Sequence, residues 1–192
     1  MPTRILYLIR HGQYDREDRS DKLEGALNDV GREQVRLTAE RMRAYPIAAI
    51  HHSTLRRAAE TAQIIGAALP AAPLRPARVL WECIPCIPPH FAHYFEHYSA
   101  RLIARHGAQA SRAFERYFKP PGRRDSHEII ICHGNIIAYL VCRAMGAPVE
   151  RWMNMDTRHC GISEVEISSK GWTRINGHGD VGHLPSELRT FV

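Results

Sequence analysis

Ile5-Leu6-Tyr7-Leu8-Ile9-Arg10-His11-Gly12, near the start of this 192-residue chain, is an apolar run that ends abruptly in a cation, an imidazole and a glycine. Large and β-branched apolar residues follow one another without alternation, the pattern of a strand buried on both faces. In open α/β sheets, ligands bind outside the carboxyl ends of such strands. There an Arg offers a planar donor fork for phosphate oxygens, and a neutral His nitrogen can act as a nucleophile. Gly12 leaves room for a close backbone approach. The stretch reads as a candidate phosphohistidine site.

Two other stretches supply company for it. Ser53-Thr54-Leu55-Arg56-Arg57-Ala58-Ala59-Glu60-Thr61 opens a helix after a second short buried strand, and Ile129-Ile130-Ile131-Cys132-His133-Gly134-Asn135 repeats the order strand, His, Gly. With these in place the chain, from Ile5 to about Pro185, resembles the histidine phosphatase (phosphoglycerate-mutase-like) superfamily. Within it the chain is most similar to the mitochondrial serine/threonine protein phosphatase branch. That likeness rests on Gln13-Tyr14 after the first motif, on Glu128 to His133, on Tyr139-Leu140-Val141-Cys142-Arg143-Ala144, and on Gly179-Asp180-Val181-Gly182.

The pattern between the motifs sets the architecture. Asn28 is placed to cap a helix that stops before Pro46, Ile47 to Ile50 reads as a strand, and Ser53 is placed to cap the helix that Pro70 ends. One short strand is expected at Val79 to Trp81, and one long helix from about Phe91 to Phe118, broken by Pro120-Pro121-Gly122. Glu128 to Cys132 is the third buried strand and Gly134 to Met145 a helix. Ile162 to Ile167 and Trp172 to Asn176 read as a closing hairpin. Strands that alternate with helices argue for a mostly parallel sheet flanked by helices. The resemblance implies the same α/β fold, a three-layer α/β/α sandwich, and residues 1–192 are expected to form a single histidine phosphatase domain.

Phosphoryl transfer asks a protein mainly to position groups and spread charge over the phosphoryl oxygens. By resemblance the nucleophile is His11, the phosphate pocket Arg10, Arg57 and His133, and an auxiliary phosphate contact Gln13. For His11 to attack through one ring nitrogen, the other must carry the proton and give it to a nearby carbonyl. Arg57 is expected to point into the pocket and its neighbour Arg56 toward solvent. His133 would add a hydrogen bond where a helix N-terminus already favours an anion. The leaving oxygen also needs a proton. The resemblance places the acid at Glu82, where Trp81 and Cys83-Ile84-Pro85 would strip water from the carboxyl and raise its pKa. The loop after it, Cys83-Ile84-Pro85-Cys86-Ile87-Pro88-Pro89, is more apolar than the branch pattern and is expected to wall the mouth of the site.

Apolar residues at 44% and charged residues at 24% suit a soluble globular protein. The net charge of +6 leaves nucleic acid, membrane or phosphorylated partners open. Basic residues are mostly interleaved with acids, as in Arg16-Glu17-Asp18-Arg19, so no nucleic-acid partner is expected. Five irregularly spaced cysteines point to a reducing compartment rather than a disulfide framework. The first strand leaves no room for a signal peptide and no apolar stretch is long enough for a bilayer, so the chain reads as cytoplasmic with no membrane contact, unless trimmed from a longer anchored precursor. The expected activity is a metal-independent phosphatase without cofactor. Protein phosphoserine or phosphothreonine is the substrate class by resemblance to the branch, and small phosphorylated metabolites are the alternative. Dimers are common among relatives, so a homodimer is compatible with the resemblance. A reading of another class takes Cys83 and Cys86 with His90, His93 and His97 as a zinc site in a structural or sensor module. Against it, there is no second Cys pair, and the His-Gly motifs would go unexplained.

Overall fold

The computed structural model describes residues 1–17 and 25–191. The middle of the charged loop expected from Tyr14 to Gly25 therefore lies outside the described residues. Six strands form one sheet: β1 (Thr3–Arg10), β2 (Ile47–His52), β3 (Leu74–Pro76), β4 (Ser126–Cys132), β5 (Ile162–Ser168) and β6 (Thr173–Asp180). Their order across the sheet is β3-β2-β4-β1-β5-β6. The first four in that order run parallel, and β5 and β6 close the sheet as an antiparallel hairpin. Among the described residues four α-helices cover it: α1 (Asp29–Met42), α2 (Arg56–Ala68), α3 (Ala100–Tyr117) and α4 (Gly134–Ala144).

Because successive side chains of a strand point to opposite faces, each central strand feeds two cores. Leu6, Leu8, Ile130 and Cys132 pack with Ala110 and Tyr117 of α3 and Ile136 and Leu140 of α4. Tyr7, Ile9, Ile129 and Ile131 pack with Val35 and Met42 of α1 and Ala58 and Ile65 of α2. The unalternated apolar runs are thus explained, and the α/β/α layering is as expected. A third apolar cluster, Ile84, Phe95, Ala138, Cys142 and Trp152, is built on α4 through Ala138 and Cys142 and touches the first core through Met155.

Asn28 caps α1, its side chain accepting the Gly31 N–H at 2.8 Å. Gly12 and Gly31 let the loop after β1 press onto that first turn. A Cβ on Gly12 would lie 2.7 Å from the Gly31 carbonyl oxygen, and one on Gly31 would lie 1.9 Å from that of Gln13. The close approach at Gly12 is to the first turns of α1, at Gly31 and Val35.

Three expectations are corrected. The short third strand is Leu74–Pro76, and Arg78–Leu80 is a single 3₁₀ turn. A proline is tolerated at that strand because it lies at the sheet edge. The helix expected from Phe91 to Phe118 is two pieces: a 3₁₀ segment at Pro89–Phe95, then α3 from Ala100, capped by the Ser99 side chain on the Leu102 N–H at 3.2 Å. Phe91, Phe95 and Tyr98 leave the helical line to join the third cluster. Finally, Leu55 and not Ser53 takes the N-cap position of α2. No helix among the described residues is long and apolar enough to cross a membrane.

Candidate active site

Register brings the motifs together. Arg10 pairs with Cys132 across β1 and β4, so His11 and His133 leave the sheet side by side, with ring centroids 5.0 Å apart. On the other flank of β4, His52 pairs with Ile131, and the Ser53 N–H donates to the Ile131 carbonyl at 2.9 Å. Three parallel strands thus deliver His11, His133 and Ser53 to one point. Antiparallel β5 is entered there too: the Cys160 N–H donates to the Arg10 carbonyl at 3.0 Å, which sets the His159 ring 5.6 Å from that of His11.

The His11 tautomer follows from its partners. Nδ1 lies 2.8 Å from the Gly12 carbonyl oxygen, which can only accept, so Nδ1 carries the proton. Nε2 accepts from Nε of Arg57 at 3.1 Å, so the single in-plane lone pair of the ring faces the clamp and is held by Arg57. Burial, then the neighbouring His133, Arg57 and Arg10, holds the His11 pKa well below its ordinary value, so the ring is neutral near pH 7. Arg57 itself is buried in the first turn of α2, with its guanidinium carbon 4.7 Å from the Tyr14 ring centroid. Arg56 instead pairs along the helix with Glu60 at 3.0 Å.

His133 takes the N-cap position of α4 without a capping side-chain bond and is fully buried. Its Nε2 lies 2.9 Å from Oγ of Ser53, which also accepts the Leu55 N–H. Either the serine donates to Nε2 and the His133 proton sits on Nδ1, or Nε2–H donates to the second lone pair of Oγ. That Nδ1 has no partner among the described residues. In the tautomer with the proton on Nδ1, that buried donor is costly to leave unsatisfied, and an incoming anion would satisfy it. Arg10 donates through one nitrogen to the carbonyls of Thr157 at 2.6 Å and Phe191 at 2.9 Å, while its Nε has no partner among the described residues.

Arg10, His11, Arg57 and Glu82 line a cavity of about 460 Å³, with Tyr14, Arg16, Asn135 and Thr157 as its other polar lining residues; the buried His133 and Ser53 are not among the lining residues. Loss of water raises the Glu82 pKa, against the downward pull of the Cys83 N–H, Arg57, Arg10 and the Asn135 N–H. The Cys83 N–H donates to Oε1 at 3.0 Å. Gln13 is not among the lining residues; its N–H donates to Oε1 of Gln34 at 2.8 Å, which ties its backbone to α1. The expected wall is also displaced. Cys83 to Pro89 does not line the cavity; Phe95, Trp152, Met153 and Met155 do. Ser53, read from the sequence only as a helix cap, stands at this site, as do Thr157 and His159, to which the sequence reading assigns no role. Thr157 and His159 each bury a polar atom without a partner among the described residues. The polar run Asp156-Thr157-Arg158-His159 before an alternating strand was the available signal.

The zinc reading finds no cluster to rest on: no three His, Cys, Asp or Glu among the described residues come together in a way that could hold a metal ion. His90, His93 and His97 are exposed along an irregular segment. Burial pushes the Cys83 thiol up and that of Cys86 to about 11, which disfavours the thiolates a metal needs. All five cysteines are free.

Residues 6–83 and 97–177 match the family described as histidine phosphatase superfamily (branch 1). The chain belongs to that superfamily. It is 34% identical over 191 residues to the mitochondrial serine/threonine-protein phosphatase PGAM5 of Xenopus tropicalis, covering 96% of this chain and 67% of the relative. It is 36% identical over 197 residues to the mitochondrial serine/threonine-protein phosphatase Pgam5 of Caenorhabditis briggsae, covering 99% and 68%. The solved structure of YhfR from Bacillus stearothermophilus superposes with a TM-score of 0.74 at 21% identity, covering 94% of this chain and 98% of that one, a likeness of fold. As a member of this superfamily with phosphatase relatives, the chain is a phosphatase, and its sheet and layers are the histidine phosphatase fold.

Proposed function

We propose that this phosphatase hydrolyses phosphoserine and phosphothreonine in proteins, with His11 as nucleophile. The single observation that carries the role of His11 is its tautomer: a neutral imidazole whose Nδ1 proton is committed to the Gly12 carbonyl and whose Nε2 lone pair faces Arg57. In the first step Nε2 forms a bond to phosphorus, the ester P–O bond breaks, and the Glu82 carboxyl gives its proton to the departing oxygen. Arg10, Arg57 and Nδ1–H of His133 hold the phosphoryl oxygens, and Arg57 exchanges its bond to His11 for one to phosphate. In the second step water attacks phosphorus, its proton goes to the Glu82 carboxylate, and the N–P bond breaks. Cationic side chains and donors aimed where charge develops do the work that a metal does in other phosphatases. Gln13 keeps an auxiliary role only if its side chain turns toward the cavity.

The protein substrate rests on the relatives' names, which include the word mitochondrial and lend the cytoplasmic expectation no support. A homodimer rests on the resemblance alone. The test of the mechanism is His11→Ala. Hydrolysis of p-nitrophenyl phosphate should fall by about three orders of magnitude or more, as when a nucleophile is lost from a preorganised site. Wild type quenched in turnover should carry acid-labile, alkali-stable phosphate, and the variant none. Near-normal turnover by the variant would remove His11 from the mechanism.

A further inference from the structure

The cavity has a second side that the chemistry does not use. The mechanism above would use only the polar end, at His11, Arg10 and Arg57, whereas Phe95, Ala138, Trp152, Met153 and Met155 line the same cavity with apolar side chains. Two other ring residues of the lining are already engaged, Tyr14 beside Arg57 and Phe191 beside Arg10. Met153 and Met155 have no such polar assignment and are only half-buried. The wall behind them is fixed. Trp152 donates through Nε1 to the Cys86 carbonyl at 3.0 Å, and its ring lies 6.3 Å from that of Phe95. Both belong to the third apolar cluster, which packs beside α4 and not against the sheet. Cys86 and Phe95 fall within 84–96, the stretch that the match to the family leaves out. A rigid backing with two flexible, polarizable thioethers at its face is a surface suited to apolar groups of varied shape.

We infer that this wall is a specificity subsite that takes a bulky apolar group next to the phosphorylated carbon. On the protein-substrate reading above, on which this part rests, that group is the side chain of a residue adjoining the phosphoserine or phosphothreonine. Two series of substrates separate the subsite from that reading. In the first, kcat/KM is measured for alkyl phosphates from ethyl to octyl. It should rise by about tenfold or more along the series, the range that one or two methylenes in an apolar pocket command. A flat series would overturn the subsite whatever the natural substrate is. In the second, phosphoserine peptides differ only in a flanking Leu, Ala or Asp. The Leu peptide should exceed the Ala peptide by about tenfold and the Asp peptide by more. Failure of every peptide alongside a rising alkyl series would overturn the protein reading and keep the subsite. Equal rates for all peptides would overturn the flanking-residue assignment. Met153→Gln, nearly isosteric, should pull the Leu-to-Ala ratio below about threefold, and Met153→Leu should restore it. An unchanged ratio in Met153→Gln would remove that residue from the subsite.

Discussion

At the scale of single residues, the site turns on where protons are held. His11 is neutral because burial and three neighbours oppose its charge, and Glu82 is held toward its protonated form because burial outweighs two arginines and two N–H donors. A nucleophile without a proton and an acid with one are the pair that ester cleavage requires. A general acid matters in proportion to the leaving group's need for a proton. Glu82→Gln should therefore slow phosphohistidine formation from phosphoserine by about a hundredfold, and from p-nitrophenyl phosphate far less. In wild type that first step should slow as pH rises through the raised carboxyl pKa, and the limb should vanish in the variant. Rapid-quench rates are the measurement, since hydrolysis of the intermediate can mask the first step in steady state. Equal slowing of both substrates would leave Glu82 a structural residue. Arg10, His11, Arg57 and His133 were legible in the sequence because each sits at a strand end or in a first helical turn, beside a recognisable motif. Ser53 was read as a cap and His159 was passed over. Their placement depends on strand register, through His52–Ile131 and Ile9–Ile162, which no local pattern carries.

At the scale of elements, the sheet strands that are buried on both faces were readable from composition alone, whereas exposed and irregular pieces were not. Leu74–Pro76 is an exposed edge strand of three residues, too short and too open for any periodicity. The aromatic run Phe91 to Tyr98 imitates a helix face, but Ser99 begins the real helix and the rings pack on Trp152 instead. The connection between α1 and the site was equally hidden. Gln34 is fully buried and makes three bonds: its Oε1 takes the Gln13 N–H, and its Nε2 donates to the Leu188 carbonyl at 2.7 Å and to Oγ1 of Thr190 at 2.8 Å. One side chain thereby ties the loop after β1 to the segment that supplies the Phe191 carbonyl to Arg10. Gln34→Ala should cost about 3 kcal/mol, since it strands buried polar groups on both sides. In a chain of this size that corresponds to a fall of about 6–12 °C in Tm. Residues 184–191 should become sensitive to protease before the rest of the chain. Unchanged stability would mean that the tail is held elsewhere.

At the scale of the whole molecule, the same desolvation that prepares the site stores a liability to acid. Burial lowers the pKa of His11, His133, His159, His178 and His183, with His159 brought to about 3 and His183 to about 4. An unfolded histidine takes up a proton near pH 6.5, while these stay neutral in the folded chain, so below pH 6.5 the unfolded state binds more protons. Stability is therefore complete above pH 6.5 and falls as pH drops from there toward the folded-state values. At pH 5 His159 alone accounts for about 2 kcal/mol of that loss, and the other buried histidines act in the same direction. The total is a large fraction of the 5–15 kcal/mol that ordinarily holds a domain together. Urea denaturation at constant ionic strength should show a drop of several kcal/mol between pH 7 and pH 5, where the raised Glu82 carboxyl acts in the opposite direction to the histidines. His159→Asn isolates one contributor, because an amide can still bond Oγ1 of Thr190, which Nδ1 of His159 meets at 2.9 Å, yet cannot titrate. Its stability at pH 7 should lie near that of wild type, and its loss on going to pH 5 should be smaller by about 2 kcal/mol. If wild type and variant lose the same amount, His159 takes up no proton on unfolding, and the acid sensitivity belongs to His11, His133, His178 and His183.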